Sequence, residues 1–232
     1  SFSYIEIYIG RFLKVMRTAL LFGSSGLVGG HLLNQLIKDI NYSKIKLFVR
    51  SVPEISDPKV EIIKADFNNL ENHKEDIKGD DCFFCIGTTK KNSPVKDEYR
   101  RVELDIPREI AKIAKSNLVN SFIFVSALYA NPKSSGEYIR FKGQVEEELK
   151  ELNFPKLGIM RPSFLIGNRK EKRASETIGI FVFKLLSPLL LGPLKKMKPI
   201  HSETVARAMI AVIQNDIQQT TFESNVISEI SS

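Results

Sequence analysis

From residue 17 onward, short apolar runs alternate with stretches in which apolar positions recur at helical spacing. The runs at Thr18 to Phe22, Ile45 to Arg50, Val60 to Ala65, Cys82 to Ile86, Ser121 to Ser126 and Leu157 to Met160 predict strands, with a late strand near Asn225 to Ser228. The clearest amphipathic stretches, Val28 to Ile40, Glu98 to Ser116, Tyr138 to Leu152 and Glu203 to Gln214, predict helices, the second kinked at Pro107. Strand, turn and helix in repeated order are the sequence form of a parallel sheet covered on both faces, so the chain reads as α/β and doubly wound. No linker or internal repeat divides it, and residues 16–232 are expected to form a single domain. Residues 1–15 precede Met16 and are expected to be a non-native or extra extension; no small-residue cleavage site follows them.

Residues 178–194 are the most apolar stretch, but Lys184 and Pro188 break a run already short of the roughly 20 residues that span a bilayer. A substrate-side flap or subunit contact is expected there, and no transmembrane span; Lys195, Lys196 and Lys198 leave interfacial membrane binding as the minor alternative. An apolar share of 43% and a charged share of 26% exclude disorder and a polytopic membrane protein. The net charge of +7 is dispersed, without an aromatic-interleaved arm or a nucleic-acid module, so nucleic acid is not expected as a partner. Cys82 and Cys85 form a CxxC, but inside an apparent buried strand, where residues three apart point to opposite faces. They read as inert core thiols of a protein in a reducing compartment, expected to be cytoplasmic, and no metal-ligand spacing is found.

The sharpest chemical signal is Gly23-Ser-Ser-Gly26-Leu-Val-Gly29, which follows a strand and opens a helix. Such a loop lets backbone approach a pyrophosphate whose charge rests on the helix N-terminus, so Gly23, Ser25, Gly26, Leu27, Val28 and Gly29 are expected to bind a dinucleotide in a Rossmann fold. About 20 residues further on, NAD sites place an acid on the ribose, whereas a basic residue suits the 2′-phosphate of NADP. Strand two here ends in Arg50-Ser51 with no acid, which favours NADP.

Tyr138 and Lys142 stand four apart on one helix face, where the ammonium can stabilise a phenolate. Ser126 ends the preceding strand at the carboxyl edge, where it could orient a substrate carbonyl. Taken with the glycine loop, Cys85-Ile-Gly-Thr-Thr89, Tyr138-Ile-Arg-Phe-Lys142-Gly-Gln-Val-Glu146 and Arg161-Pro162-Ser163, the chain resembles an atypical short-chain dehydrogenase of the Tat-interacting-protein type, from about Met16 to Gln214.

The resemblance implies an NADPH-dependent oxidoreductase in which Ser126 positions a small-molecule carbonyl, Tyr138 exchanges the proton and Lys142 holds the nicotinamide ribose. It further implies Asp66 and Phe67 beside the adenine, Gly87 and Thr88 along the cofactor, Pro162 near the nicotinamide, and a homodimer. Each residue also has a plainer reading: Asp66 as a helix cap, Thr88 as a turn residue, Pro162 as a loop stiffener. Two departures stand out. Where many family members carry a proton-relay asparagine, the chain reads Val102-Glu103-Leu104-Asp105, which leaves the relay unassigned and weak or absent catalysis open. The segment after Arg161 is also short, which disfavours a nucleotide sugar as substrate. The alternative class is a non-catalytic NADPH-binding regulatory or assembly protein that contacts a partner or a membrane surface.

Overall fold

The computed structural model describes residues 16–167, 192–215 and 217–231. The extension at 1–15 and the apolar stretch from 178 to 191 lie outside them. Within the described residues, β1 (Arg17–Phe22), β2 (Tyr42–Val49), β3 (Val60–Lys64), β4 (Asp81–Phe84), β5 (Ser121–Val125), β6 (Lys156–Arg161) and β9 (Thr221–Glu223) join in one sheet of order β3-β2-β1-β4-β5-β6-β9. Every pairing in it is parallel. Two short strands, β7 (Leu165–Ile166) and β8 (Ile200–His201), pair separately.

The alternation of side chains along each strand divides the core between two faces. Leu20, Phe22, Phe84, Phe122 and Phe124 point to one side, where helices α3 (Ile106–Ser116) and α4 (Glu137–Glu151) cover them through Ile110, Ala114, Val145 and Leu149. Ala19, Leu21, Phe83, Ile123 and Met160 point to the other, beneath α1 (Leu27–Lys38) and α5 (Ser202–Gln214). Strands buried on both sides must be apolar throughout, which is why β4 reads Asp-Cys-Phe-Phe with all four residues buried. Its one charge, Asp81, is satisfied at the amino edge by the Arg17 guanidinium and by the Tyr42 hydroxyl, which donates at 2.9 Å. Cys82 and Cys85 do fall on opposite faces, and burial pushes the Cys85 thiol up to about 12, out of the range of a reactive thiolate.

Most predicted elements are found with ends shifted by at most three residues. Two places differ. Residues Ser224–Ile230 form helix α6 where a strand is expected near Asn225 to Ser228, and the strand is the triplet just before it. Val226, Ile227 and Ile230 all pack against the α1 and α5 side of the core, a one-sided spacing that suits a helix and that a strand would split between faces. At Pro107, where a kink is expected, the helix is interrupted: α2 (Lys96–Arg100) runs into a π-helical turn, Arg101–Asp105, before α3 resumes. Proline offers no N–H to the carbonyl of Glu103 four residues earlier and its ring crowds that carbonyl, so the narrower helix cannot continue through it.

Candidate functional site

The strand order reverses direction between β1 and β4, and in doubly wound sheets the crevice beyond that switch point is where ligands sit. The glycine loop occupies this crevice. Gly23 has φ +92, and a Cβ there would lie 2.7 Å from both the Cys85 carbonyl carbon and the Ile86 nitrogen. A Cβ on Gly29 would lie 2.1 Å from the Gly23 oxygen. The first turn of α1 is thus seated on the loop, and the loop on the segment after β4, with no space for a side chain between them. Ser25 and Gly26 remain exposed, Leu27 is half-buried and Val28 enters the core. The first turn of α1 holds no acidic residue, so the N–H groups that a helix N-terminus leaves unpaired meet no competing anion within it.

Beyond β2, Arg50 and Ser51 are exposed at the carboxyl edge, so the guanidinium is accessible to a ligand. Asp66 is exposed, and its carboxylate accepts from Asn68 N–H at 2.9 Å, making an Asx turn instead of a direct helix cap. Phe67 is buried in the core and its carbonyl receives the Arg101 guanidinium, which also binds Glu109. Gly87 is exposed, while Thr88 is held: its N–H donates to Glu103 Oε1 at 2.5 Å and its hydroxyl meets Ser93 at 3.0 Å. Pro162 is buried, and its carbonyl accepts from Leu128 N–H.

On α4, Tyr138 is exposed and Lys142 is buried, with the ammonium 5.9 Å from the centre of the phenol ring. The ammonium lies 4.8 Å from the centre of the Phe124 ring, 3.3 Å from the Val125 carbonyl and 3.1 Å from Glu103 Oε2. Burial alone would lower the affinity of Lys142 for its proton, but Glu103, Tyr138 and Glu146 outweigh it and hold the ammonium above the usual lysine range. Ser126 stands at the end of β5 and is buried, with its hydroxyl donating to Glu146 Oε1 at 2.5 Å. Glu146 is in turn held by the Arg161 guanidinium, which reaches across to the Ala130 carbonyl.

The structure therefore links Tyr138, Lys142 and the Gly87–Thr88 loop, and engages the Ser126 hydroxyl with a buried carboxylate. Two residues of this cluster, Glu103 and Glu146, are not among the expected site residues. Glu146 was legible in principle, four residues beyond Lys142 on the same helix face. Glu103 was not, because its direction depends on the π turn. Among the described residues no group of three or more potential metal ligands occurs. No helix among them is long and apolar enough to cross a membrane. A cavity of about 590 Å³ between α2 and α4, bordered by Lys96, Arg100, Arg108 and Arg140, includes none of the glycine-loop residues.

Residues 23–216 match the family described as NAD(P)H-binding. Over 211 residues the chain is 28% identical to "Protein FMP52-1, mitochondrial" of Scheffersomyces stipitis, covering 87% of this chain and 90% of that protein. It is 30% identical over 167 residues to "Protein HTATIP2" of Rattus norvegicus, covering 70% and 69%. Among solved structures it resembles MoeE5 in complex with UDP-glucuronic acid and NAD, with a TM-score of 0.66 at 16% identity over 88% of this chain and 74% of that one. This last likeness is one of fold. The mitochondrial names of relatives that span nearly the whole chain correct the expectation of a cytoplasmic protein, which rested on two cysteines read as reduced core thiols.

Proposed function

The chain belongs to the NAD(P)H-binding family, and from that premise we propose that it is an NADPH-dependent oxidoreductase that reduces a small carbonyl substrate. One observation carries this reading: Tyr138 and Lys142 share a helix face whose ammonium is linked, through Glu103, to the loop that abuts Gly23. A phenol and an ammonium thus stand beside the crevice where a dinucleotide would lie. The residues fit such a cofactor, since Gly26 is exposed while Gly23 and Gly29 let the loop pack directly on a helix N-terminus that has no acid in its first turn. Ser25 through Gly29 would receive the pyrophosphate, Arg50 and Ser51 the 2′-phosphate, Asp66 and Phe67 the adenine, and Gly87, Thr88 and Pro162 the nicotinamide half. When bound, the nicotinamide would supply hydride for the carbonyl carbon.

The chain's own chemistry is proton delivery. As the carbonyl oxygen gains charge, Tyr138 donates its phenolic proton to it, and the nearby ammonium stabilises the negative charge left on the phenol. Lys142 is suited to that work because its acidic neighbours keep it charged despite burial. Ser126 could donate to the carbonyl only after its hydroxyl leaves Glu146. The engaged Ser126 is also the observation that favours a second reading, a cofactor-binding regulatory protein without turnover. A screen of small aldehydes and ketones, following loss of NADPH fluorescence, separates the two. Cofactor consumption with at least one carbonyl class is expected; NADPH that binds but is consumed with none would leave the regulatory reading.

A further inference from the structure

Glu103 is wholly buried, yet its carboxylate faces donors from two different elements. Oε1 receives the Thr88 N–H at 2.5 Å, and the backbone runs close over it, since a Cβ on Gly87 would lie 3.5 Å away. Oε2 lies 3.1 Å from the Lys142 ammonium, makes no aligned hydrogen bond and is closed off from solvent. Burying a carboxylate is costly unless its neighbours compensate, and here the compensation comes from a loop amide on one side and a cation on α4 on the other. Only a carboxylate can accept on both sides at once. A glutamine would turn its NH₂ toward either the amide or the ammonium and set donor against donor.

We propose that Glu103 is a positioning residue that couples the Gly87–Thr88 loop to the Lys142 ammonium, so that both meet the cofactor as one unit. This rests on the reading that loop and ammonium line an NADPH site. The π turn before Pro107 carries the carboxylate between them. The groups that act on Lys142 are Glu103 from that turn and Tyr138 and Glu146 on its own helix; Lys142 in turn acts on Cys85 after β4, and Glu103 on Tyr99 of α2. Of the two acids, Glu146 is already committed to Arg161 and Ser126. With Glu103 neutralised, burial works against the ammonium with one counter-charge fewer, and Lys142 loses its proton at lower pH than in the wild type.

The test is the Kd for NADPH at a series of pH values between about 7 and 9, below the usual lysine range, for wild type, Glu103→Gln and Glu103→Asp, each first checked for fold by circular dichroism. The wild type is expected to give a flat profile. Glu103→Gln should bind about tenfold more weakly, as the loss of a charge-assisted contact implies, and the deficit should grow as pH rises. Glu103→Asp, one methylene shorter but still charged, should also bind more weakly while keeping the flat profile. Should the glutamine variant not fold, the aspartate variant carries the test, and a deficit that grows with pH in it would overturn the proposal. So would a Glu103→Gln protein matching the wild type throughout. Failure of the wild type itself to bind NADPH is a different result, which sinks the cofactor reading beneath.

Discussion

Tyr138→Phe should lower kcat by about 10²- to 10⁴-fold, the usual contribution of a positioned general acid, while leaving the Kd for NADPH within about twofold of the wild type. The substitution deletes one oxygen from an exposed side chain at the first turn of α4, so the core is untouched and Lys142 keeps Glu103 and Glu146 as its counter-charges. Phenylalanine also keeps the ring near the ammonium. What it removes is the only proton of that side chain able to reach a developing alkoxide. Steady-state kinetics on the substrate found by the carbonyl screen, combined with cofactor titration, reads both quantities. An unchanged kcat would take the proton away from Tyr138 and reopen the regulatory reading.

Gly29→Ala should damage the site from its foundation. The added methyl would lie 2.1 Å from the Gly23 oxygen and 2.7 Å from the Gly23 carbonyl carbon, both backbone atoms that cannot rotate aside. Helix α1 must then lift from the loop, and Gly23 cannot retreat because it is already against Cys85 and Ile86. The expected cost in stability is about 1–3 kcal/mol, the range for overpacking a filled interior, read as a shift in denaturant midpoint. NADPH affinity should fall further than stability alone explains, by about a hundredfold, because a displacement on the order of 1 Å spoils the aim of the helix N–H groups. Gly30→Ala is the natural control. A methyl there meets only the Ser24 oxygen at 3.3 Å, which the loop can accommodate by a small shift.

The parts of the fold that were legible in the sequence are those where local pattern and tertiary role coincide. Buried parallel strands must be apolar on both faces, and β4 and β5 announce themselves as Cys-Phe-Phe and Phe-Ile-Phe-Val. The glycine loop is legible for a different reason: bare backbone at a fixed spacing after a strand has few uses. What could not be read depends on contacts distant in sequence. The triplet Thr221–Glu223 is too short to show an alternation and is a strand only because Ile159, Met160 and Arg161 offer it an edge. The Ser126 hydroxyl could be placed at a strand end, but its engagement with Glu146 depends on where α4 lies relative to β5. Glu103 reads locally as an ordinary helical acid, and becomes a buried counter-ion only through the π turn that Pro107 imposes.

Cofactor choice is decided by a fluorescence titration of NADPH and NADH against the wild type and Arg50→Ala. Selective binding of NADPH is predicted, weakened about tenfold in the variant by loss of a charge-assisted phosphate contact, with NADH affinity nearly unchanged. Equal affinity for both cofactors, indifferent to Arg50, would contradict the assignment of the 2′-phosphate site. Binding of neither would contradict the oxidoreductase reading itself.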